Sequence, residues 1–222
     1  MSGKVLQGAP ARARRWATAM ALSGAALAGL AGLGGCAPLV LGGAVVGTTL
    51  MAIDRRTTGI QVEDQGIELK AGPRVRSAAG GDAAHVNVTS YNRLVLLTGE
   101  VPTDAARRAA EQAASQVENV RSIVNELAVA GMSSLTSRSN DTILTGRVKA
   151  TFVDAGLPAP ALKVVTERGV VHLMGRVTEG EADRATQAAR RVPGVQKVVR
   201  VFEIITEQEL AAIQGRASAP AR

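Results

Sequence analysis

Lys163-Val-Val-Thr-Glu-Arg-Gly-Val-Val-His-Leu-Met-Gly175-Arg-Val177 decides the fold of this chain. Two β-branched runs flank Glu167-Arg168-Gly169, and that pattern predicts two strands joined by a tight turn. The exit Gly175-Arg-Val177 leads into Thr178-Glu-Gly-Glu181, where Thr178 can cap a helix whose first turn carries acidic residues. An alanine-rich body through Ala189 follows, and Pro193-Gly194 stops it. Lys197 to Ile205 then reads as a closing strand.

The same string occurs once earlier. Val86-Asn-Val-Thr-Ser-Tyr-Asn-Arg-Leu-Val-Leu-Leu-Thr-Gly99-Glu-Val101 turns at Tyr91-Asn92-Arg93 and enters a helix capped by Thr103. Val117-Glu-Asn-Val120 ends that helix, and Ser122 to Val129 closes the copy. Two copies about 76 residues apart imply duplicated domains. Each copy needs an opening helix. In the second it is predicted over 142–155, capped by Asn140 or Asp141 and ending near Gly156-Leu-Pro158. In the first, Gly72-Pro73 interrupts a helix-like stretch and 78–84 is loop-like, so the first opening helix is expected to be degraded. The predicted class is α+β: two tandem αββαβ units, each a three-stranded mixed sheet packed by two helices. Residues 54–129 and 140–206 form the units, 130–139 the Ser/Thr-rich linker and 207–222 a disordered tail.

The first 53 residues differ in character. Lys4, Arg12, Arg14 and Arg15 precede an apolar, Ala/Gly-rich run that ends at Leu33-Gly34-Gly35-Cys36, the only cysteine. A basic start, an apolar middle and small residues at a cleavage point predict a signal peptide over 1–35. Cys36 resembles the acylated cysteine of the bacterial lipobox, carrying diacyl and palmitate-type chains. Residues 36–53 carry no charge and read as an apolar collar, and Ala37 resembles an outer-membrane sorting signal. Acylation uses the lone thiol, so the fold has no disulfide to rest on.

Charge argues against nucleic acid. The chain has 26 basic and 19 acidic residues, but the four basic residues before Cys36 are removed with the leader, which leaves 22 against 19. Tyr91, Phe152 and Phe202 are the only aromatic residues after the leader, too few for stacking platforms. No nucleophile elbow, carboxylate pair or phosphate loop is present. His85 and His172 have no cysteine or carboxylate at ligand spacing, so neither a metal, a cofactor nor an enzymatic activity is expected. His172 is expected to be half exposed on a strand with Val170 and Met174. Gly99 and Gly175 are expected to serve structure, as bulges or close backbone approaches.

The second opening helix carries the binding expectation. At 100° per residue, Leu144, Val148, Phe152 and Ala155 share one side, and Ile143, Gly146, Ala150, Val153 and Leu157 share the other. One stripe suffices for a three-stranded sheet. The second, flanked by Arg147 and Lys149, suits the headgroup boundary of an anionic bilayer. It would equally suit packing against the first unit or against another chain.

Helix, hairpin, helix and strand, with Gly-x-Val after the second strand, resemble the BON domain (bacterial OsmY and nodulation). Asn87-Val-Thr-Ser-Tyr91, Val124-Asn-Glu126, Ser139-Asn-Asp141 and Leu173-Met-Gly-Arg-Val-Thr-Glu179 carry the likeness, together with the lipobox and the Asp54-Arg-Arg-Thr-Thr-Gly59 lead-in. The resemblance is to two-BON lipoproteins on the periplasmic side of the outer membrane. It implies binding of phosphatidylglycerol-like phospholipid through the second domain, at Ile143, Gly146, Arg147, Lys149, Ala150 and Val153. It also implies a role in envelope integrity, with enrichment at the division site. The rival expectation is a protein-binding adaptor for the β-barrel assembly machinery or for activation of cell-wall amidases.

Overall fold

The computed structural model describes residues 54–218. The expected signal peptide, Cys36 and the apolar collar lie outside the described residues. Among the described residues, eleven α-helices and strands follow one another: α1 (Thr58–Ala78), β1 (His85–Tyr91), β2 (Leu94–Val101), α2 (Asp104–Ser115), β3 (Ser122–Val129), α3 (Leu135–Asp154), β4 (Leu162–Glu167), β5 (Val170–Val177), α4 (Glu179–Arg190), β6 (Lys197–Ile204) and α5 (Glu207–Ser218). The sheets run β1-β2-β3 and β4-β5-β6. In each, the first pair is antiparallel and the second parallel, the αββαβ order the repeats imply.

Both hairpins close through two-residue loops, Asn92-Arg93 and Arg168-Gly169, whose four φ angles are all positive (51°, 64°, 52° and 73°). That is the type I′ geometry whose twist matches paired strands. Thr103 accepts from Ala106 N–H at the start of α2. Thr178 and Glu181 form a reciprocal capping box at α4. Opposite Gly99, a Cβ would run into the His85 carbonyl oxygen, and opposite Gly175 it would meet the Ala161 carbonyl at 2.6 Å. The outer strand crosses too closely there for a side chain.

Each sheet buries one face under its own helices. Val95 and Leu97 pack with Ile67, Ala71, Val75 and Ala110, while Val171 and Leu173 pack with Leu144, Val148, Phe152 and Ala185. Alternation turns the intervening residues the other way. Tyr91, Leu96, Met174 and Val201 meet there as a third core between the sheets. The two units therefore dock sheet to sheet, with helices on the outside. Polar contacts lock the seam: Asn92 Nδ2 to Glu203 (2.6 Å), Lys163 Nζ to Glu68 (2.8 Å) and Tyr91 Oη to the Ala161 carbonyl (3.2 Å). Burial pushes the Tyr91 hydroxyl up to about 12.

The structure corrects several expectations. The first opening helix is not degraded; α1 runs 21 residues, straight through Gly72-Pro73. Pro73 removes the bond to the Leu69 carbonyl, but both residues face outward, where water can satisfy that oxygen. Burial of Ile67, Ala71, Val75 and Ala79 along the inner side holds the helix together. The linker is shorter than expected, because α3 starts at Leu135 with Ser134 accepting from Ser137 N–H. Neither Asn140 nor Asp141 is a cap. The tail is helical over Glu207–Ser218, started by a reciprocal bond pair between Thr206 and Glu209. His172 is buried, since its side of β5 is the docking face.

Candidate functional site

Helix α3 packs Asp141, Leu144, Val148 and Phe152 inward. Its opposite side is open: Ile143 is 54% and Val153 66% exposed, and Gly146, Arg147, Lys149 and Ala150 are exposed too. The six residues expected from sequence thus share one solvent-facing surface. The two ends of the stripes exchange places. Gly156 adopts φ 63°, and Leu157 N–H and Gly156 N–H return to the Phe152 and Val153 carbonyls, a Schellman turn. The chain reverses there, so Leu157 enters the core and Ala155 is left in water.

The early start of α3 adds an apolar residue that sequence reading missed. Leu135 is 79% exposed and Met132, just before it, is 52% exposed. At 100° per residue, Leu135, Ile143, Gly146, Ala150 and Val153 fall within about 80° of arc, with Lys149 on one border and Arg147 on the other. A cleft of about 440 Å³ adjoins the lysine border, where Lys149, Ala150 and Val153 face Arg56, Tyr91 and Lys163. A second, of about 690 Å³, adjoins the arginine border and includes Ile143, Arg147 and Arg168. Arg56 is held by Asp54 and Asp64 and stacks over the Tyr91 ring at 4.1 Å, and Lys163 is held by Glu68. Arg147, Lys149 and Arg168 have no carboxylate partner among the described residues. Their charge is available to an anion.

Two aspartates hold the hairpin turns: Asp64, which sequence reading does not single out, and Asp141, which is expected from sequence as a helix cap. Asp64 accepts from Asn92 N–H (2.8 Å), Arg93 N–H (2.8 Å), Ser90 Oγ (2.7 Å) and Arg56 (2.9 Å). Burial alone would raise its carboxyl, but these donors hold it below the usual carboxylate range. Asp141 accepts from Arg168 N–H and Gly169 N–H, both at 2.8 Å. Each aspartate ties an opening helix to the turn of its own sheet.

The histidines end up in different surroundings from those expected. His172 is pushed down by burial, and neither ring nitrogen has a hydrogen-bond partner; Glu126 lies 3.8 Å away. His85 does meet carboxylates, Glu100 at 3.2 Å and Glu167 at 3.7 Å. Its register partner across the β1–β2 hairpin is Glu100, and docking brings in Glu167. Among the described residues, no helix is long and apolar enough to cross a membrane.

The BON domain profile matches residues 63–131 and 140–206, one match on each sheet-and-helix unit. The chain belongs to the BON domain family. The chain is similar to the outer membrane lipoprotein DolP of Haemophilus influenzae, 39% identical over 175 residues, which cover 78% of this chain and 90% of that protein. A 21 kDa hemolysin of Actinobacillus pleuropneumoniae is 33% identical over 69% of this chain and 80% of its own length. Osmotically-inducible protein Y of Escherichia coli is 34% identical over 51% of this chain and 58% of its own.

Proposed function

We propose that this BON protein is an outer-membrane lipoprotein, tethered on the periplasmic side through acyl chains on Cys36, whose second domain binds anionic phospholipid through the outer face of α3. One observation carries the lipid reading. Ile143 and Val153 stand open on a surface whose bordering cations, Arg147 and Lys149, have no carboxylate to neutralise them. Apolar side chains would enter the acyl boundary while the cations meet headgroup phosphates, each contributing about 1 kcal/mol. The tether supplies high effective concentration, so weak recognition suffices to bias where the protein collects. The relation to a named outer membrane lipoprotein supports the localisation. The reading extends to maintenance of the envelope, with enrichment at the division site.

Residues 54–222, without acyl chains, are expected to co-sediment with phosphatidylglycerol vesicles and not with phosphatidylcholine vesicles. The double variant Ile143→Asp, Val153→Asp should lose that binding with an unchanged melting temperature. Equal recovery with both vesicles, or none with either, overturns the lipid reading and leaves the adaptor for an assembly or wall-remodelling protein.

A further inference from the structure

We infer that His85, Glu100 and Glu167 form a zinc-class divalent-cation site that staples the two BON domains together. This inference is independent of the lipid reading. His85 and Glu100 are register partners in the first sheet, and Glu167 ends the first strand of the second sheet. An ion held by all three would bridge the docking seam.

The donor set fits. His85 Nδ1 lies 3.2 Å from Glu100 Oε2 and 3.7 Å from Glu167 Oε1, and one donor atom from each residue falls within 4.8 Å of the others. Zinc bonds of about 2.0–2.2 Å in tetrahedral array require donors about 3.3–3.5 Å apart. Side-chain rotation of the carboxylates would bring the three donors to that spacing. Asn87 Nδ2 donates to Glu167 Oε2 at 2.9 Å, which fixes that carboxylate and leaves Oε1 turned to the imidazole. Ser133 N–H and Oγ both donate, at 3.1 Å, to Glu100 Oε2, the oxygen that faces His85. Such outer contacts orient ligands in metal sites.

Independently, the cluster has an unmet electrostatic demand. Glu100 is fully buried, and its Oε1 has no hydrogen-bond partner. Among the described residues, no lysine or arginine pairs with Glu100 or Glu167. Two buried carboxylates share one imidazole, so a protonated His85 could balance only one of them, and a bound divalent cation would balance both. The duplicated copy shows what the other end of the seam does instead. By the 76-residue offset, Ala161, Arg176 and Tyr91 stand where His85, Glu100 and Glu167 stand. There Tyr91 donates to the Ala161 carbonyl, and Arg176 pairs with Glu203. The same backbone seam is therefore filled by a cation and a phenol at one end, and by three ligating groups at the other.

One imidazole nitrogen and two carboxylate oxygens are donor types that zinc accepts, and water would take the fourth tetrahedral position. Calcium and magnesium prefer six or more oxygen ligands. A cleft of about 160 Å³, whose walls include His85, Asn87, Arg138 and Glu167, gives access from solvent.

The full-length chain in detergent, stripped with EDTA, is titrated with ZnCl2 by calorimetry and in thermal melts. One Zn2+ per chain and a raised melting temperature are expected, with no displacement by equimolar Ca2+ or Mg2+. His85→Gln and Glu167→Gln should each weaken binding at least tenfold. His172→Leu, which alters the other histidine, should leave it intact. Melts in EDTA report whether each variant folds, and Glu167→Gln retains an oxygen for Asn87. Binding weaker than millimolar, or binding that survives in both His85→Gln and Glu167→Gln, overturns the site.

Discussion

The two BON domains share strand order, register and turn type, yet they treat their opening helices differently. On α1, Glu63 pairs with Arg93, Glu68 with Lys163 and Lys70 with Glu118. With Asp64 held by Arg56, four of the six charged residues of α1 are paired, while Arg74 and Arg76 stand exposed beside Pro73. On α3, Arg147 and Lys149 pair with nothing among the described residues, and they border Ile143 and Val153. The docking faces diverge in the same manner. Leu96 of the first sheet corresponds to His172 of the second, and Glu100 corresponds to Arg176. Positions that both copies keep (the αL turn, the aspartate beneath it, the glycine of the crossing) build the backbone. Positions where the copies part carry the candidate chemistry.

The glycines test the shared part and carry the largest expected effect. Gly99→Ala should destabilise by about 3 kcal/mol or more, since its Cβ would overlap the His85 carbonyl and its φ of 117° disfavours alanine. Gly175→Ala meets Ala161 O at 2.6 Å and should cost less. Equal melting temperatures for the two variants would show that the crossings are equivalent.

The turn aspartates come next. Asp64→Asn, which disturbs four donors, should cost about 3 kcal/mol, and Asp141→Asn, with two, about half of that. Because Asp64 titrates below its unfolded value, its contribution is present above pH of about 4 and is lost as pH falls through the lower folded value. Acid unfolding curves of wild type and Asp64→Asn should converge there.

His172→Leu restores the residue type of the first copy and should stabilise by about 1 kcal/mol at pH 7, by replacing a buried imidazole whose nearest charged partner, Glu126, is 3.8 Å away. Burial depresses the folded value of this imidazole, so the unfolded chain takes up a proton first. Wild-type stability should therefore decline as pH drops below about 6.5, and the variant should lack that decline. Melts at pH 7 and 5.5 compare them.

The smallest effect separates the helices. Arg147→Ala or Lys149→Ala should each weaken phosphatidylglycerol vesicle binding about fivefold, near 1 kcal/mol. Lys70→Ala on α1 should change nothing. A loss with Lys70→Ala would place both helices at the membrane.

Local chemistry made most of the fold legible. The strands, both tight turns and the Thr103 and Thr178 caps follow from residue type and spacing, as does the outward stripe of α3. The Thr206–Glu209 cap was also legible in the spacing, but a helix there was hidden by the Gly/Ala-rich composition that follows it. The early start of α3 was hidden because Leu135-Thr-Ser-Arg138 has no apolar periodicity. The continuity of α1 was hidden because burial of Ile67, Ala71 and Val75 outweighs the propensity cost of Gly72-Pro73. The meeting of His85 with Glu100 was readable from the hairpin register once the two-residue loop was fixed. Glu167 was not, since sheet-to-sheet docking leaves no local pattern.

Arg55 grips Glu181 with two bonds of 2.6 Å and also donates to the Arg176 carbonyl, 121 residues away. A strain arriving along the polypeptide from upstream is thus delivered to the start of α4 before it reaches α1. The leading edge of the first domain is moored to the second, so tension draws the pair down as one body and does not peel the nearer half away.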